Sequence, residues 1–207
     1  MTINRRTLIR GAVAIAGIAG LSRTSLADID PAKLNEPPAL GEMSMGPDDA
    51  KVTVIEYASA SCPHCANFYK TTFKELKKDY IDTGKIRFIF REFPHNDAAL
   101  AAFMIARCAP KEKYFPLVDT MFETQDAWLQ SPRDGLFRIA QLAGFTQASF
   151  DECLKNETVA KGIIAIRDRA ESEFEVHGIP SFFVNGKVLT GETTIDKFKE
   201  IIDPLLT

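Results

Sequence analysis

Two thiols stand two residues apart in Cys62-Pro63-His64-Cys65, within the stretch ASASCPHCANF at residues 58–68. That spacing permits three kinds of chemistry: half of a metal site, a structural crosslink, or a dithiol that exchanges electrons with other thiols. A paired zinc site would need a second Cys-x-x-Cys or a histidine pair downstream. The other cysteines, Cys108 and Cys153, stand alone and 45 residues apart, and His95 and His177 are the only other imidazoles. Metal binding is thus the weaker reading, and its remaining form is a metal-binding or copper-delivery module that uses Cys62, His64 and Cys65 as ligands. A crosslink between residues so close would shut a tiny loop and add little stability through chain entropy.

The compartment bears on the choice. Arg5, Arg6 and Arg10 precede an apolar, glycine-rich run of eleven residues, Gly11 to Leu21, and Ser25-Leu26-Ala27 follows as a small-x-small cleavage pattern. Residues 1–27 are therefore expected to be a cleaved signal peptide; eleven residues fall far short of the roughly 20 that cross a bilayer. Arg5-Arg6-Thr7-Leu8-Ile9-Arg10 is similar to a twin-arginine export signal, from whose commonest form Asn4 and Leu8 depart, so Sec export stays open beside it. Either route ends in a bacterial periplasm, where disulfides persist.

Of the 25 basic and 28 acidic residues, the leader holds four basic ones and no acid, which leaves the mature part near a net charge of −7. Nucleic acid is a poor partner for such a chain. Its 180 or so mature residues can bury a sizeable core without any disulfide, so at least one cysteine pair is free for function. No cofactor is implied by the sequence.

The elements that must position the thiols can be read along the chain. Residues 28–50, with Pro31, Pro37, Pro38 and Pro47, predict an extended arm with one short strand near Met43. Val52-Thr53-Val54-Ile55-Glu56-Tyr57 is a β-branched run, expected to be a buried strand that feeds the Cys-Pro-His-Cys turn. A helix should follow at once: Ser61 offers an N-cap, Pro63 suits the first turn, and Phe68, Phe73, Leu76 and Tyr80 recur at roughly helical spacing up to Gly84. Lys85 to Phe93 predicts a second core strand.

From Pro94 to about Val176 the period is helical throughout. Stripes run through Ala101, Ile105 and Cys108, through Leu117, Met121 and Phe122, and through Leu136, Ile139, Ala140 and Ala143. The longest predicted helix carries Val159, Ile163, Ile166, Ala170 and Phe174. Ser181-Phe182-Phe183-Val184, the turn pair Asn185-Gly186 and Val188-Leu189 then predict a hairpin, and a last helix starts near Thr194.

A βαβ unit and a ββα unit separated by a helical insertion resemble a periplasmic disulfide oxidoreductase of the DsbA type. The resemblance covers most of residues 50–205 and is carried by the Val-Ile-Glu-Tyr strand running into Cys62-Pro63-His64-Cys65, by Tyr114-Phe115-Pro116 before Met121-Phe122, and by Gly178-Ile179-Pro180-Ser181-Phe182-Phe183-Val184-Asn185-Gly186-Lys187. It implies an α/β thioredoxin fold, residues 51–94 and 177–207, with an inserted all-helical domain at 95–176. It also implies an oxidase that donates the Cys62–Cys65 disulfide to the thiols of exported polypeptides and is reoxidised by a DsbB-like, quinone-linked membrane protein. A reductase or isomerase of the same fold is the alternative within the class. Related isomerases add an N-terminal dimerisation domain, for which residues 28–50 are too few, and a monomer is expected.

Physical chemistry fits the implied roles. Cys62 at the start of a helix would meet unpaired N–H groups and the positive dipole end, which favour the nucleophilic thiolate. His64 would add an imidazole able to donate to or charge-balance that sulfur. Glu56 is the odd acid in an apolar strand: hydrated or lysine-paired at the sheet's end, or, as the resemblance implies, buried and able to exchange a proton with Cys65. Ile179-Pro180 resembles the family's cis-proline element, whose backbone would pair with an extended substrate segment; on its own it reads as a strand start. Cys108 and Cys153 are either buried reduced thiols or, in an oxidising compartment with an even cysteine count, a second, structural disulfide. His95, His177 and the lone Trp128 read as structural.

Overall fold

The computed structural model of the chain describes residue 29 and residues 31–207. The signal-peptide expectation lies outside the described residues.

Five strands form one mixed sheet: β1 (Met43–Met45), β2 (Val52–Ala58), β3 (Ile86–Glu92), β4 (Ser181–Val184) and β5 (Lys187–Thr190), in the order β1-β3-β2-β4-β5. β2 and β3 run parallel, and the other three pairings are antiparallel. β2 is therefore central and covered on both faces, which is why a β-branched run with few polar breaks occupies it. The period of two sorts its side chains. Val52, Val54 and Ala58 point into the larger apolar cluster, with Phe88, Phe90, Phe182 and Val184 from neighbouring strands. Ile55 and Tyr57 point the other way, with Ile89 and Phe183.

The helices are α1 (Pro31–Leu34), α2 (Pro63–Phe68), α3 (Lys74–Leu76), α4 (Asp97–Cys108), α5 (Tyr114–Glu123), α6 (Gln125–Trp128), α7 (Pro132–Gln141), α8 (Gln147–Cys153), α9 (Glu157–Phe174) and α10 (Ile195–Leu206). α9 lays Ile166, Ala170 and Phe174 on the face of Ile55 and Tyr57. α2 and α10 cover the opposite face, where Phe68, Phe182 and Phe198 meet with ring centroids 4.6 to 6.0 Å apart. Asn185 and Gly186 have φ of 46° and 90°, the left-handed pair of a type I′ turn, so the Asn-Gly signal makes the β4–β5 hairpin.

The structure departs from the sequence reading in places. The helix after the cysteines is not uniform: Tyr69–Phe73 and Lys77–Ile81 are π-helical turns on either side of α3. Each wider turn rotates the apolar stripe, which lets Phe68, Tyr69 and Phe73 all reach the core. The arm is not wholly extended, since α1 buries Leu34. β1 forms at Met43 and pairs with the edge of β3. α7 ends at Gln141, so Ala143 lies in the turn that Gly144 completes with φ of 87°.

α4 through α8 build the helical block. Cys108 and Cys153, the last residues of α4 and α8, are joined by a disulfide with Cα atoms 6.1 Å apart. The block is tied to the sheet by a buried ion pair: Arg107 donates to both oxygens of Glu92 at 2.5 and 2.8 Å, and the Tyr114 hydroxyl donates to the same carboxylate at 2.6 Å. The same guanidinium reaches the carbonyls of Leu40 and Gly41 in the arm.

Candidate active site

Strand β2 delivers its chain to a tight turn, Ser59-Ala60-Ser61, and thence to the first turn of α2. The N-cap of α2 is Cys62, in extended conformation, with Pro63 as first helical residue. Ser61 does not cap; its hydroxyl donates to Asn96 Oδ1 at 3.0 Å instead. With no capping side chain, the first N–H groups of α2 are left to face the Cys62 sulfur, which is what a thiolate needs.

Both cysteines are free and buried, with Cys62 6% exposed and Cys65 sealed off. The Cys62 thiol is lowered to about 6, first by a hydrogen bond from the Cys65 thiol and then, against the cost of its own burial, by the backbone N–H groups of Cys65 and His64 and the positive field of His95. Cys65 is driven the other way, far up, by burial and by the neighbouring Cys62 sulfur. One pair thus holds a nucleophile and a proton-retaining partner.

His64 occupies a different place from the one its sequence position suggests. Its ring is solvent-exposed and its Nδ1 lies 2.5 Å from Glu192 Oε1, while Asn67 Nδ2 donates to Glu192 Oε2 at 2.6 Å. Glu192 raises the imidazole's affinity for a proton, and the carboxylate itself is pulled down in return. His64 therefore serves Cys62 through its backbone N–H and at a distance through its charge. The imidazole beside Ser59 is His95, whose Nδ1 is 2.8 Å from the Ser59 hydroxyl and whose Nε2 is 3.2 Å from Asn96.

Ile179–Pro180 is a cis peptide bond at the entrance to β4, and the Cys62 sulfur lies 3.8 Å from the Ile179 carbonyl oxygen. The element that precedes β4 thus faces the reactive sulfur across the groove. Gln125, at the start of α6, reaches into the active-site turn and donates to the carbonyls of Ala60 and Cys62, both at 2.9 Å. That contact fixes the turn from the helical block.

Glu56 sits opposite Phe90 and Phe182 in the sheet register, fully buried, on the face covered by α2. Among the described residues neither carboxyl oxygen has a hydrogen-bond partner, and no lysine pairs with it. Burial holds its pKa well above the usual carboxylate range, an effect the Tyr69 phenol only partly offsets. Its field bears on Cys65.

Among the described residues, no group of three or more His, Cys, Asp and Glu side chains is placed to hold a metal ion. Trp128 is buried and donates its indole N–H to the Met121 carbonyl at 2.8 Å, and His177 lies in the exposed loop before Gly178. Sequence reasoning missed Gln125 and Glu192, which lie 63 and 128 residues from the groups they bind. No local pattern marks either.

A central parallel strand pair, a helix whose N-terminus holds a Cys-x-x-Cys, and a cis-proline loop facing it define the thioredoxin class of fold. The thioredoxin family matches residues 39–204, and the chain belongs to it. The crystal structure of Wolbachia pipientis alpha-DsbA1 superposes with a TM-score of 0.77 over 86% of this chain and 96% of that one, at 29% identity. BdbD of Bacillus subtilis gives 0.70 over 82% and 96%, at 25% identity. A Rickettsia conorii protein, whose name assigns it provisionally to the protein-disulfide oxidoreductases, is 38% identical over 80% of this chain. The chain spans 60% of that relative's length, and 78% of the Bacillus subtilis disulfide bond formation protein D, to which it is 29% identical.

Proposed function

We propose that this chain is a thiol-disulfide oxidoreductase that works as an oxidase on exported polypeptides. The observation that carries the reading is the opposed pair of thiols, Cys62 lowered to about 6 and Cys65 raised. A disulfide whose reduced form is stabilised in this way is easily reduced, so it is passed on rather than kept. The names of the relatives support the same class of reaction.

In the forward reaction a substrate thiolate attacks Cys62 Sγ, and the Cys62–Cys65 bond breaks. Cys65 leaves with the electron pair and takes a proton from Glu56, because its buried sulfur does not hold a charge. A second thiolate of the substrate then attacks the substrate sulfur of the mixed disulfide, and Cys62 departs as thiolate. The substrate gains a disulfide and the enzyme two electrons. Ile179 and Pro180 present the substrate: the Ile179 backbone pairs with an extended segment and brings its sulfur against Cys62.

The remaining assignments follow this role. Residues 1–27 direct export to the periplasm, the reduced enzyme returns its electrons to a DsbB-like, quinone-linked membrane protein, Cys108–Cys153 stays oxidised throughout, and the protein acts as a monomer. The deciding experiment is the equilibrium of the Cys62–Cys65 pair with glutathione. An oxidising potential, well above that of thioredoxin, together with rapid oxidation of a reduced unfolded substrate, is expected. A potential near thioredoxin's would replace the oxidase with a reductase.

A further inference from the structure

Five buried side-chain nitrogen and oxygen atoms among the described residues lack a hydrogen-bond partner, and four of them belong to three residues: both oxygens of Glu56, the Tyr69 hydroxyl and Asp119 Oδ1. Buried polar atoms are ordinarily paired, so a cluster of four orphans calls for a cause. The three residues come from separate elements, β2, the π-helical turn after α2, and α5. Tyr69 stands in the middle. Its ring stacks on Phe122 at 4.1 Å between centroids and lies 4.3 Å from Phe73, so the phenol is locked in an apolar slot. Tyr69 and Asp119 together line a cavity of about 110 Å³, with Phe73, Lys74, Lys77 and Glu123, and that volume is ample for water.

We propose that Tyr69 and Asp119 form the proton exit of Glu56, linking the buried carboxyl to the cleft between α5 and the π-helical turn. The proposal rests on Glu56 exchanging a proton with Cys65. As Glu56 protonates the departing Cys65 it would be left an anion in an apolar site, so its proton is replaced within the same step. The Tyr69 hydroxyl hands its proton to Glu56 as it accepts another from the side of Asp119, so no phenolate persists; Asp119 is refilled from the cleft. When Cys65 gives its proton back during reoxidation, the same steps run outward. No electron moves in either direction.

The surroundings of Asp119 suit a group that both gives and takes. Burial raises it to about 6, against the pull of Lys77, with Glu123 adding to the rise. The other charges at the cleft are engaged: Lys74 with Glu123 at 2.8 Å and Lys77 with Asp82 at 2.6 Å. Burial first, and then the charges of Glu56, Asp119 and Tyr114, disfavour the ionised form of Tyr69.

The test is single-turnover reduction of the Cys62–Cys65 disulfide by excess dithiothreitol, acid-quenched and read by alkylation, in Tyr69→Phe, Asp119→Asn and Glu56→Gln. Tyr69→Phe and Asp119→Asn should each slow the step by about tenfold, within the range of a lost acid-base group. The equilibrium constant with glutathione should hold within about twofold, since no redox atom is touched. Corrected for the dithiothreitol thiolate fraction, the wild-type rate should inflect near pH 6 and Asp119→Asn should lose the inflection. Asp119→Ala should regain rate in formate or imidazole buffer, as packing damage would not. If Glu56→Gln is slow while the other two variants match wild type, the exit is overturned and the role of Glu56 stands. If all three match wild type, the role of Glu56 falls as well. Slow variants that keep the inflection and show no rescue would also overturn the exit.

Discussion

The chain carries two cysteine pairs that chemistry would treat as equivalent and the fold treats as opposites. Cys62 and Cys65 are two residues of one turn, at the N-terminus of α2, and are free. Cys108 and Cys153 are the final residues of α4 and α8 and are bonded. A helix N-terminus favours a thiolate, and a helix C-terminus disfavours it. The first pair therefore has a sulfur held ready to ionise; the second has no favoured thiolate and is closed in a bond. In the proposed function, the end of the helix on which a sulfur sits, more than its count or spacing, separates the reactive pair from the structural one.

The comparison breaks most decisively at the first pair. Cys62→Ser should cut disulfide transfer to a reduced peptide by at least about a thousandfold, since the attacked sulfur is gone. Cys65→Ala, mixed with a disulfide-bonded peptide, should instead accumulate mixed disulfides at Cys62, visible as mass adducts on non-reducing analysis, because the Cys65 sulfur that would release the peptide is gone. Trapping on Cys62→Ser and none on Cys65→Ala would reverse the two roles.

At the second pair the effect should be on stability alone. Replacing Cys108 and Cys153 together by Ala opens a loop of 45 residues and should cost up to about 4 kcal/mol in urea unfolding by the chain-entropy account. The active-site equilibrium with glutathione should not move. A shift of that equilibrium beyond about threefold would mean that the pairs are coupled.

A smaller effect separates the two redox states of the first pair. The folded Cys62 value of about 6 lies below that of a free thiol in the unfolded chain, so its contribution to the reduced fold is complete above the free-thiol value and is lost as pH falls through 6. About 1 kcal/mol should be in place at pH 7, after allowance for solvent at its open side. Above about pH 8.5 the slope should turn over, because the unfolded chain ionises Cys65 while the fold keeps it protonated. Reduced protein more stable than oxidised at pH 7, with the margin vanishing below pH 5, is the expected result of paired denaturant melts; no change of margin with pH would remove the thiolate from the account.

Glu192→Gln should do least. It frees the His64 ring and loosens Asn67, both at the surface, and should change transfer rates by no more than about threefold, most visibly where His64 titrates. A hundredfold loss would place Glu192 among the residues that touch substrate.

What was legible in the sequence was local. The β-branched run Val52–Tyr57, the helical step from Val159 to Phe174 and the Asn185-Gly186 turn each write their structure within a few residues, and the fold order follows from them. The π-helical turns were not legible, because Phe68, Phe73, Leu76 and Tyr80 fit a regular helix nearly as well as an interrupted one. Nor was the true setting of His64. Its neighbour Glu192 arrives from the loop after β5, and only the closed hairpin brings it there. Nor was the cap: α2 begins at Pro63, which makes Cys62 and not Ser61 the capping residue, and the Ser61 hydroxyl goes to Asn96.

The grip of Gln125 on the Ala60 and Cys62 carbonyls has a consequence for motion. Its amide nitrogen is shared by two acceptors in a turn that would otherwise be a loop end, and the side chain is almost wholly buried. Any hinge between the helical block and the sheet would strip both bonds at once, leaving buried acceptors bare at a few kcal/mol. Catalysis must then proceed on a rigid frame, with the substrate supplying the flexibility. In native-state hydrogen exchange the amides of the active-site turn would open together with those of the core strands rather than with surface loops.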